Sequence, residues 1–100
     1  MESNSLNTVD YLILASITNA ITKYTDIFKK CKKINIGKFR EHVNKLEEMN
    51  LITINKKDNW FTRNTNPSII LKEDGKKFVK ENIEKINQQW ELAKVENNKN

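Results

Sequence analysis

The segment INIGKFREHVNKLEEMNLI, residues 34–52, constrains the fold more than any other part of the chain. Asn35 is a suitable N-cap, and Asn50 suits the left-handed position that often ends a helix. The strand-like residues LITI follow directly. The pattern predicts a helix over residues 35–49 with one buried face, because its apolar residues recur at helical spacing at Ile36, Phe39, Val43, Leu46 and Met49.

The chain has 100 residues, which is enough for one domain with a single core. A core of this size is marginally stable, so help from oligomerisation would be unsurprising. Cys31 is the only cysteine, which excludes an intramolecular disulfide and fits a reducing compartment. We expect it to be a small core residue, since a redox role would need an exposed thiol of low pKa.

No targeting or membrane signal is expected in the chain. The first ten residues lack the basic region of a secretory signal. The longest apolar-rich run, VDYLILASITNAI, contains four polar residues and is too short to span a bilayer. We therefore expect a soluble protein of the cytoplasm, without a membrane partner.

The net charge of +5 is concentrated in one part of the chain. Residues 1–22 carry two acidic residues and no basic one, whereas residues 23–45 carry eight Lys or Arg against two acidic residues. Residues 46–100 are close to neutral. A clustered basic surface predicts a polyanionic partner more strongly than net charge alone does.

Two helices are expected before residue 34. Apolar periodicity predicts the first from about Thr8 to Lys23, with Tyr11 and Leu12 widening its apolar surface enough to face a partner subunit. Thr25 or Asp26 would cap a short second helix, DIFKKCKK, whose lysines point outward.

After the third helix, the segments LITIN and SIILK alternate in the manner of strands. They predict a hairpin whose long polar tip covers residues 55–66 and contains two aromatic residues. The fold class is therefore mainly α with a small β-hairpin, in a single domain whose core covers residues 8–72.

Residues 73–96 predict one long C-terminal helix, with a frayed tail at 97–100. Its apolar residues are spaced as in a heptad repeat and are flanked by Glu and Lys, which suggests a coiled-coil-like dimerisation helix. The expected homodimer interface combines this stripe with the first helix and comprises Tyr11, Leu12, Val79, Ile83, Ile86, Trp90 and Ala93.

The order of elements and two short motifs resemble the winged helix-turn-helix proteins of the MarR and PadR type. The end of the third helix, LEEMNLI, is similar to their LEExGLI pattern, with Asn50 replacing glycine. After the hairpin, LKEDGKKF is similar to their LTxxGxxF pattern, with Gly75 and Phe78 matching and Lys72 replacing threonine. The long last helix also resembles the dimerisation helix of small archaeal winged-helix chromatin-type proteins.

This resemblance implies that the third helix enters the major groove of double-stranded DNA and that the hairpin forms a wing. Arg40 would bind guanine and Asn44 adenine. The implied base contacts are Gly37, Lys38, Arg40, Glu41 and Asn44. The implied phosphate contacts are Lys29, Lys30, Lys32, Lys33, Asn35 and Lys45. The implied wing contacts are Lys56, Lys57, Trp60, Arg63 and Asn64.

The resemblance therefore implies a homodimeric transcriptional regulator associated with the nucleoid. Two alternatives stay open: an architectural DNA binder that tolerates most sequences, and a winged-helix adaptor that binds protein instead of DNA. An effector-sensing switch is less favoured, because the chain lacks an extra domain.

An enzyme is not expected, and neither is a cofactor or a metal. The only glycines, Gly37 and Gly75, are too far apart for a phosphate-binding loop, and one histidine with one cysteine cannot form a metal cluster. His42 is interpreted as a partly buried packing residue.

Overall fold

The structure is a computed structural model that describes residues 6–31, 34–55 and 67–98, with side chains through residue 94. Five helices and two strands follow one another along the chain. They are α1 (Thr8–Thr18), α2 (Tyr24–Lys30), α3 (Ile36–Glu48), β1 (Ile52–Asn55), β2 (Ser68–Leu71), α4 (Glu73–Glu81) and α5 (Ile83–Asn98). The chain is thus mainly helical with a small antiparallel sheet, as expected.

The start of α1 is fixed by a capping box. The Asn7 side chain accepts hydrogen bonds from the backbone N–H groups of Val9 and Asp10, and the Asp10 carboxylate accepts one from the Asn7 N–H. The helix ends at Thr18, well before the predicted Lys23. Ala20 has a φ of 70°, a left-handed conformation that cannot continue an α-helix.

Residues 22–24 run beside β2 instead of extending α1. The Thr22 carbonyl accepts a 2.8 Å hydrogen bond from the Ile69 N–H, and the Tyr24 N–H donates to the Pro67 carbonyl at 2.9 Å. Lys23 and Ser68 form an isolated antiparallel bridge. This pairing with a distant segment is the reason why the predicted end of the first helix is wrong.

The second helix starts at Tyr24, before the predicted position. Its N-cap is Lys23, with no side-chain capping bond, so neither Thr25 nor Asp26 caps the helix as predicted. The helix ends at Lys30, and Cys31 is its buried C-cap. The predicted core position of Cys31 is therefore confirmed.

The third helix agrees closely with its prediction. The Asn35 side chain accepts a 2.9 Å hydrogen bond from the Lys38 N–H, and Asn50 has the left-handed φ of 68°. Phe39, Val43 and Leu46 are buried, as predicted. Ile36 is 43% exposed and is the one predicted inward residue that lies outside the core, because it stands at the open start of the helix.

The two strands pair in antiparallel register, with Ile52 opposite Leu71 and Asn55 opposite Ser68. Ile52 and Ile69 are fully buried and place the sheet against the helices. Of the predicted hairpin tip, residues 55–66, Asn55 belongs to β1 and residues 56–66 lie outside the described residues.

The C-terminal segment does not form the single predicted helix. Asn82, with φ −119° and ψ 27°, separates α4 from α5, and α5 then makes its main contacts with α1. The core extends past residue 72, since Val79 and Ile86 belong to it. The backbone of α5 is helical to Asn98, two residues beyond the predicted end of the C-terminal helix at residue 96.

A close backbone contact joins α4 to the end of α3. The Lys72 N–H donates a 2.9 Å hydrogen bond to the Leu51 carbonyl. Gly75 packs onto the same carbonyl, and any side chain at this position would overlap its oxygen atom.

Among the described residues, no helix has the length and apolar character needed to cross a bilayer.

Candidate nucleic-acid interface

The outward face of α3 carries all five residues predicted to contact bases. They are exposed on the side opposite the buried stripe of Phe39, Val43 and Leu46, and comprise Gly37, Lys38, Arg40, Glu41 and Asn44. Five exposed residues on the first three turns of one helix form a continuous surface. We call this set the α3 face.

Two pairs of side chains organise the α3 face. Arg40 and Asn44 are four residues apart, so they lie next to each other on one side of the helix. Lys38 and Glu41 form an exposed ion pair with 3.6 Å between Nζ and Oε1. Because both partners are solvated, this pair contributes little to folding and can open when a ligand binds.

Gly37 lies in the first turn of α3 and is exposed. A Cβ at this position would have ordinary van der Waals contact, 3.4 Å from the Asn35 side-chain oxygen. The fold therefore does not require glycine here. The open position allows a ligand to approach the backbone at the start of the helix.

The residues predicted to contact phosphate divide into three groups. Lys29 is exposed at the end of α2. Lys30, Asn35 and Lys45 have contacts within the chain, while Lys32 and Lys33 lie outside the described residues. Lys30 is half-buried, with its Nζ 5.5 Å from the centre of the Trp90 ring, and Asn35 caps α3.

The wing residues are not among those that the structure describes. The predicted contacts Lys56, Lys57, Trp60, Arg63 and Asn64 all fall within residues 56–66. Their roles stay predictions from the sequence.

The residues predicted to form a dimer interface are used mainly inside the chain. Leu12, Val79 and Ile86 are buried, and Trp90 and Ala93 pack partly against the core. Tyr11 stacks on Phe78, with ring centres 6.4 Å apart. The interruption at Asn82 turns the stripe of α5 onto α1, which brings Trp90 against the core of its own chain. Ile83 is 38% exposed and is the one residue of this set that stays on the surface.

A buried ionic cluster that was not expected from the sequence connects α3 to α1. The Asp10 side chain is fully buried. Its carboxylate lies 2.8 Å from His42 Nδ1 and 2.8 Å from Lys45 Nζ. His42 is half-buried, as predicted, but it is part of this cluster and not a simple packing residue. Lys45 faces Asp10, which corrects its prediction as an outward phosphate contact.

One signal in the sequence points to this cluster. Asp10, Ile13, Leu14 and Ile17 have the spacing of a buried helix face, which places a carboxylate where the rest of the stripe is apolar. All four residues are buried in the structure. A charged residue on a buried stripe requires a charged or polar partner.

The Cys31 thiol is buried and lacks the properties of a reactive cysteine. Burial, and to a smaller extent the charge of Asp10, raise its pKa from 9.0 to about 12. The thiol therefore stays protonated at neutral pH. Among the described residues, no group of three His, Cys, Asp or Glu side chains is placed to hold a metal ion.

No protein-family model, curated protein or solved structure shows a significant match to this chain. The α3 face and its surroundings are therefore the basis for an inference of function.

Proposed function

We propose that this chain is a winged helix-turn-helix DNA-binding protein that acts as a transcriptional regulator. It places the α3 face in the major groove, and Lys29 and the neighbouring lysines contact the phosphate backbone. It is a binding protein and not an enzyme, and a DNA partner implies that it acts at the nucleoid, in the cytoplasm.

The exposed α3 face is the observation that carries the proposal. It presents a guanidinium, an amide, an ammonium and a carboxylate, which together can read donor and acceptor patterns on base edges. Among the described residues, the side chains of Arg40 and Asn44 make no hydrogen bond or ion pair, so both are free to bind a ligand.

The order of elements supports the same proposal. Three helices precede a two-stranded hairpin, and Thr22 and Lys23, between α1 and α2, pair with the start of β2. This order is the one that the sequence resemblance implies. The hairpin tip, residues 55–66, is proposed to lie on flanking DNA as the wing, on the basis of its sequence alone.

A homodimer is retained as part of the proposal, because regulators of this type bind two half-sites related by two-fold symmetry. The stripe of α5 is used within the chain, so the contact between copies would involve apolar residues left exposed, such as Ile83. Sedimentation equilibrium at several protein concentrations tests this, and a monomer at every concentration would remove the dimer from the proposal.

The main experiment is fluorescence anisotropy of the protein on a random-sequence duplex of about 30 base pairs, over a salt series from about 50 to 200 mM. Binding is expected to weaken steeply with salt, because each neutralised phosphate releases a counterion and contributes about −0.9 to the log–log slope. Absence of binding at low salt would contradict the proposal and favour the adaptor alternative.

Two lysines provide a matched pair of variants. Lys38 and Lys94 each form an exposed ion pair of 3.6 Å with a glutamate three residues away, Lys38 on the α3 face and Lys94 on α5. Lys38→Ala is expected to weaken binding several-fold, whereas Lys94→Ala should leave it unchanged. Equal effects would mean that binding depends on net charge and not on the α3 face.

A selection from random duplexes then separates a regulator from an architectural protein. For a regulator, Arg40→Ala is expected to relax the preference at one base pair by about 1–3 kcal/mol. For an architectural protein, the same substitution would weaken binding to all duplexes evenly.

A further inference from the structure

The Asp10 carboxylate is held by groups from two helices. On its own helix, Oδ2 accepts a 2.9 Å hydrogen bond from the Asn7 N–H. From α3, Lys45 Nζ lies 2.8 Å from Oδ2 and His42 Nδ1 lies 2.8 Å from Oδ1. Among the described residues, no buried side-chain nitrogen or oxygen is left without a partner.

Stability alone is a poor explanation for this arrangement. A buried ion pair loses much of its Coulomb energy to desolvation, and well-packed apolar residues often stabilise a protein as much or more. What a buried ionic group adds is directionality. A carboxylate requires its hydrogen-bond donors at defined positions, whereas contacts between apolar side chains are non-directional.

The two α3 donors are one turn apart and lie on the side facing α1. A shift of one residue along α3 would rotate them by about 100° and remove both from Asp10. The apolar contacts of Phe39, Val43 and Leu46 keep the same side of α3 buried, but they are non-directional and limit its angle less closely than these bonds do. The cluster therefore allows one rotation and one axial position of α3 relative to α1.

The α3 face lies on the same turns as these donors. Arg40 and Glu41 immediately precede His42, and Asn44 immediately precedes Lys45. A constraint on the inner residues therefore sets the direction of the outer ones. We infer that Asp10 is a positioning residue, which through His42 and Lys45 sets the angle of the α3 face and hence its discrimination between DNA sequences. This inference rests on the proposed function.

The test replaces the cluster as a unit with Asp10→Leu, His42→Leu and Lys45→Met in one chain. Ser16→Ala is the matched control, since Ser16 is also a buried polar residue of α1, but its hydroxyl donates to the Leu12 carbonyl of its own helix, at 2.9 Å. Asp10→Asn serves as a second variant, which keeps the size of the side chain and removes its charge.

The measured quantity is the ratio of affinities for a selected duplex and a random duplex. We expect the triple variant to stay folded and this ratio to fall at least tenfold. The salt slope should change little, because phosphate contacts need less angular precision than base contacts. Asp10→Asn should reduce the ratio in the same direction, and Ser16→Ala should not change it.

A second measurement is independent of DNA. Residual dipolar couplings of the α3 amides report the angle of α3 relative to α1, and they are expected to change in the triple variant and in Asp10→Asn but not in Ser16→Ala. Wild-type couplings in both cluster variants would overturn the inference. If the wild-type protein binds no DNA, the proposed function fails, and the couplings alone decide whether Asp10 positions α3.

Discussion

The third and fifth helices both carry an apolar stripe in the sequence, but the two stripes were predicted with different success. The stripe of α3 packs into the core of its own chain, as expected. The stripe of α5, expected to bind a second copy, packs on α1 of the same chain instead. Periodicity therefore identifies which side of a helix is buried, but not which surface covers that side.

Ile86 gives the largest expected effect and tests the use of the α5 stripe. Its side chain is fully buried, so Ile86→Ala is expected to lower the free energy of unfolding by about 3 kcal/mol through lost burial and a residual cavity. Leu92, which is 54% exposed on the same helix, is the control, and Leu92→Ala should change it by less than about 0.5 kcal/mol.

Urea denaturation of both variants at two protein concentrations distinguishes contacts within the chain from contacts between chains. If Ile86 packs inside one chain, the loss should not depend on concentration. A loss that shrinks on dilution would show that the α5 stripe binds a second copy, because that contact stabilises the wild type only where two copies associate, and would restore the original expectation.

Alanine substitutions of the glycines in the first turns of α4 and α3 give the next largest expected difference in stability. Gly75→Ala is expected to destabilise the fold by about 2 kcal/mol or more, because the new methyl group would overlap the Leu51 carbonyl oxygen. Gly37→Ala would place its methyl group in ordinary van der Waals contact with the Asn35 side chain, and is expected to stabilise the fold by about 0.5 kcal/mol. Thermal unfolding checks both, and similar midpoints for the two variants would contradict the close contact at Gly75.

The pH dependence of folding stability tests whether the Cys31 thiol is buried beside α3. Its pKa is raised from 9.0 to about 12 in the folded state, so the unfolded chain loses the thiol proton first as pH rises. Its stabilising contribution is complete below about pH 9 and is lost as pH rises toward 12. Between about pH 8 and pH 10 the expected loss is about 1 kcal/mol.

The measurement is urea denaturation at these two pH values for the wild type and Cys31→Ala. Lysine and tyrosine titration affects both proteins, so the difference between their pH slopes isolates the thiol. Equal slopes would mean that the thiol is accessible to water.

Glycine substitutions of the left-handed residues that follow α1 and α3 give the smallest expected effect on stability. Ala20 and Asn50 both have a left-handed φ, of 70° and 68°. Ala20→Gly is expected to stabilise the fold by about 0.5 kcal/mol, since relief of backbone strain exceeds the added chain entropy.

Asn50→Gly should give no such gain, because Asn50 tolerates this φ and its side chain also binds Lys72 Nζ at 2.7 Å and Asp74 at 3.1 Å. Denaturation midpoints compare the two variants. A gain at position 50 equal to that at position 20 would mean that these side-chain bonds contribute nothing.

Local signals in the sequence were sufficient to predict the third helix, both of its ends, its buried stripe and the following hairpin. These features depend on signals that act within a few residues: a capping side chain at Asn35, a left-handed residue at Asn50 and a repeat of apolar positions between them. The exposure of the α3 face follows from the same repeat.

Four features could be read only from the folded chain: the end of α1, the interruption at Asn82, the surface that covers the α5 stripe and the partners of Asp10. Each depends on residues far apart in the chain: Ile69 bonds to the Thr22 carbonyl, and His42 lies 32 positions from Asp10. Hydrophobic burial is non-directional, so a stripe can be covered by any apolar surface within reach. Which surface covers it is set by the packing of the whole chain.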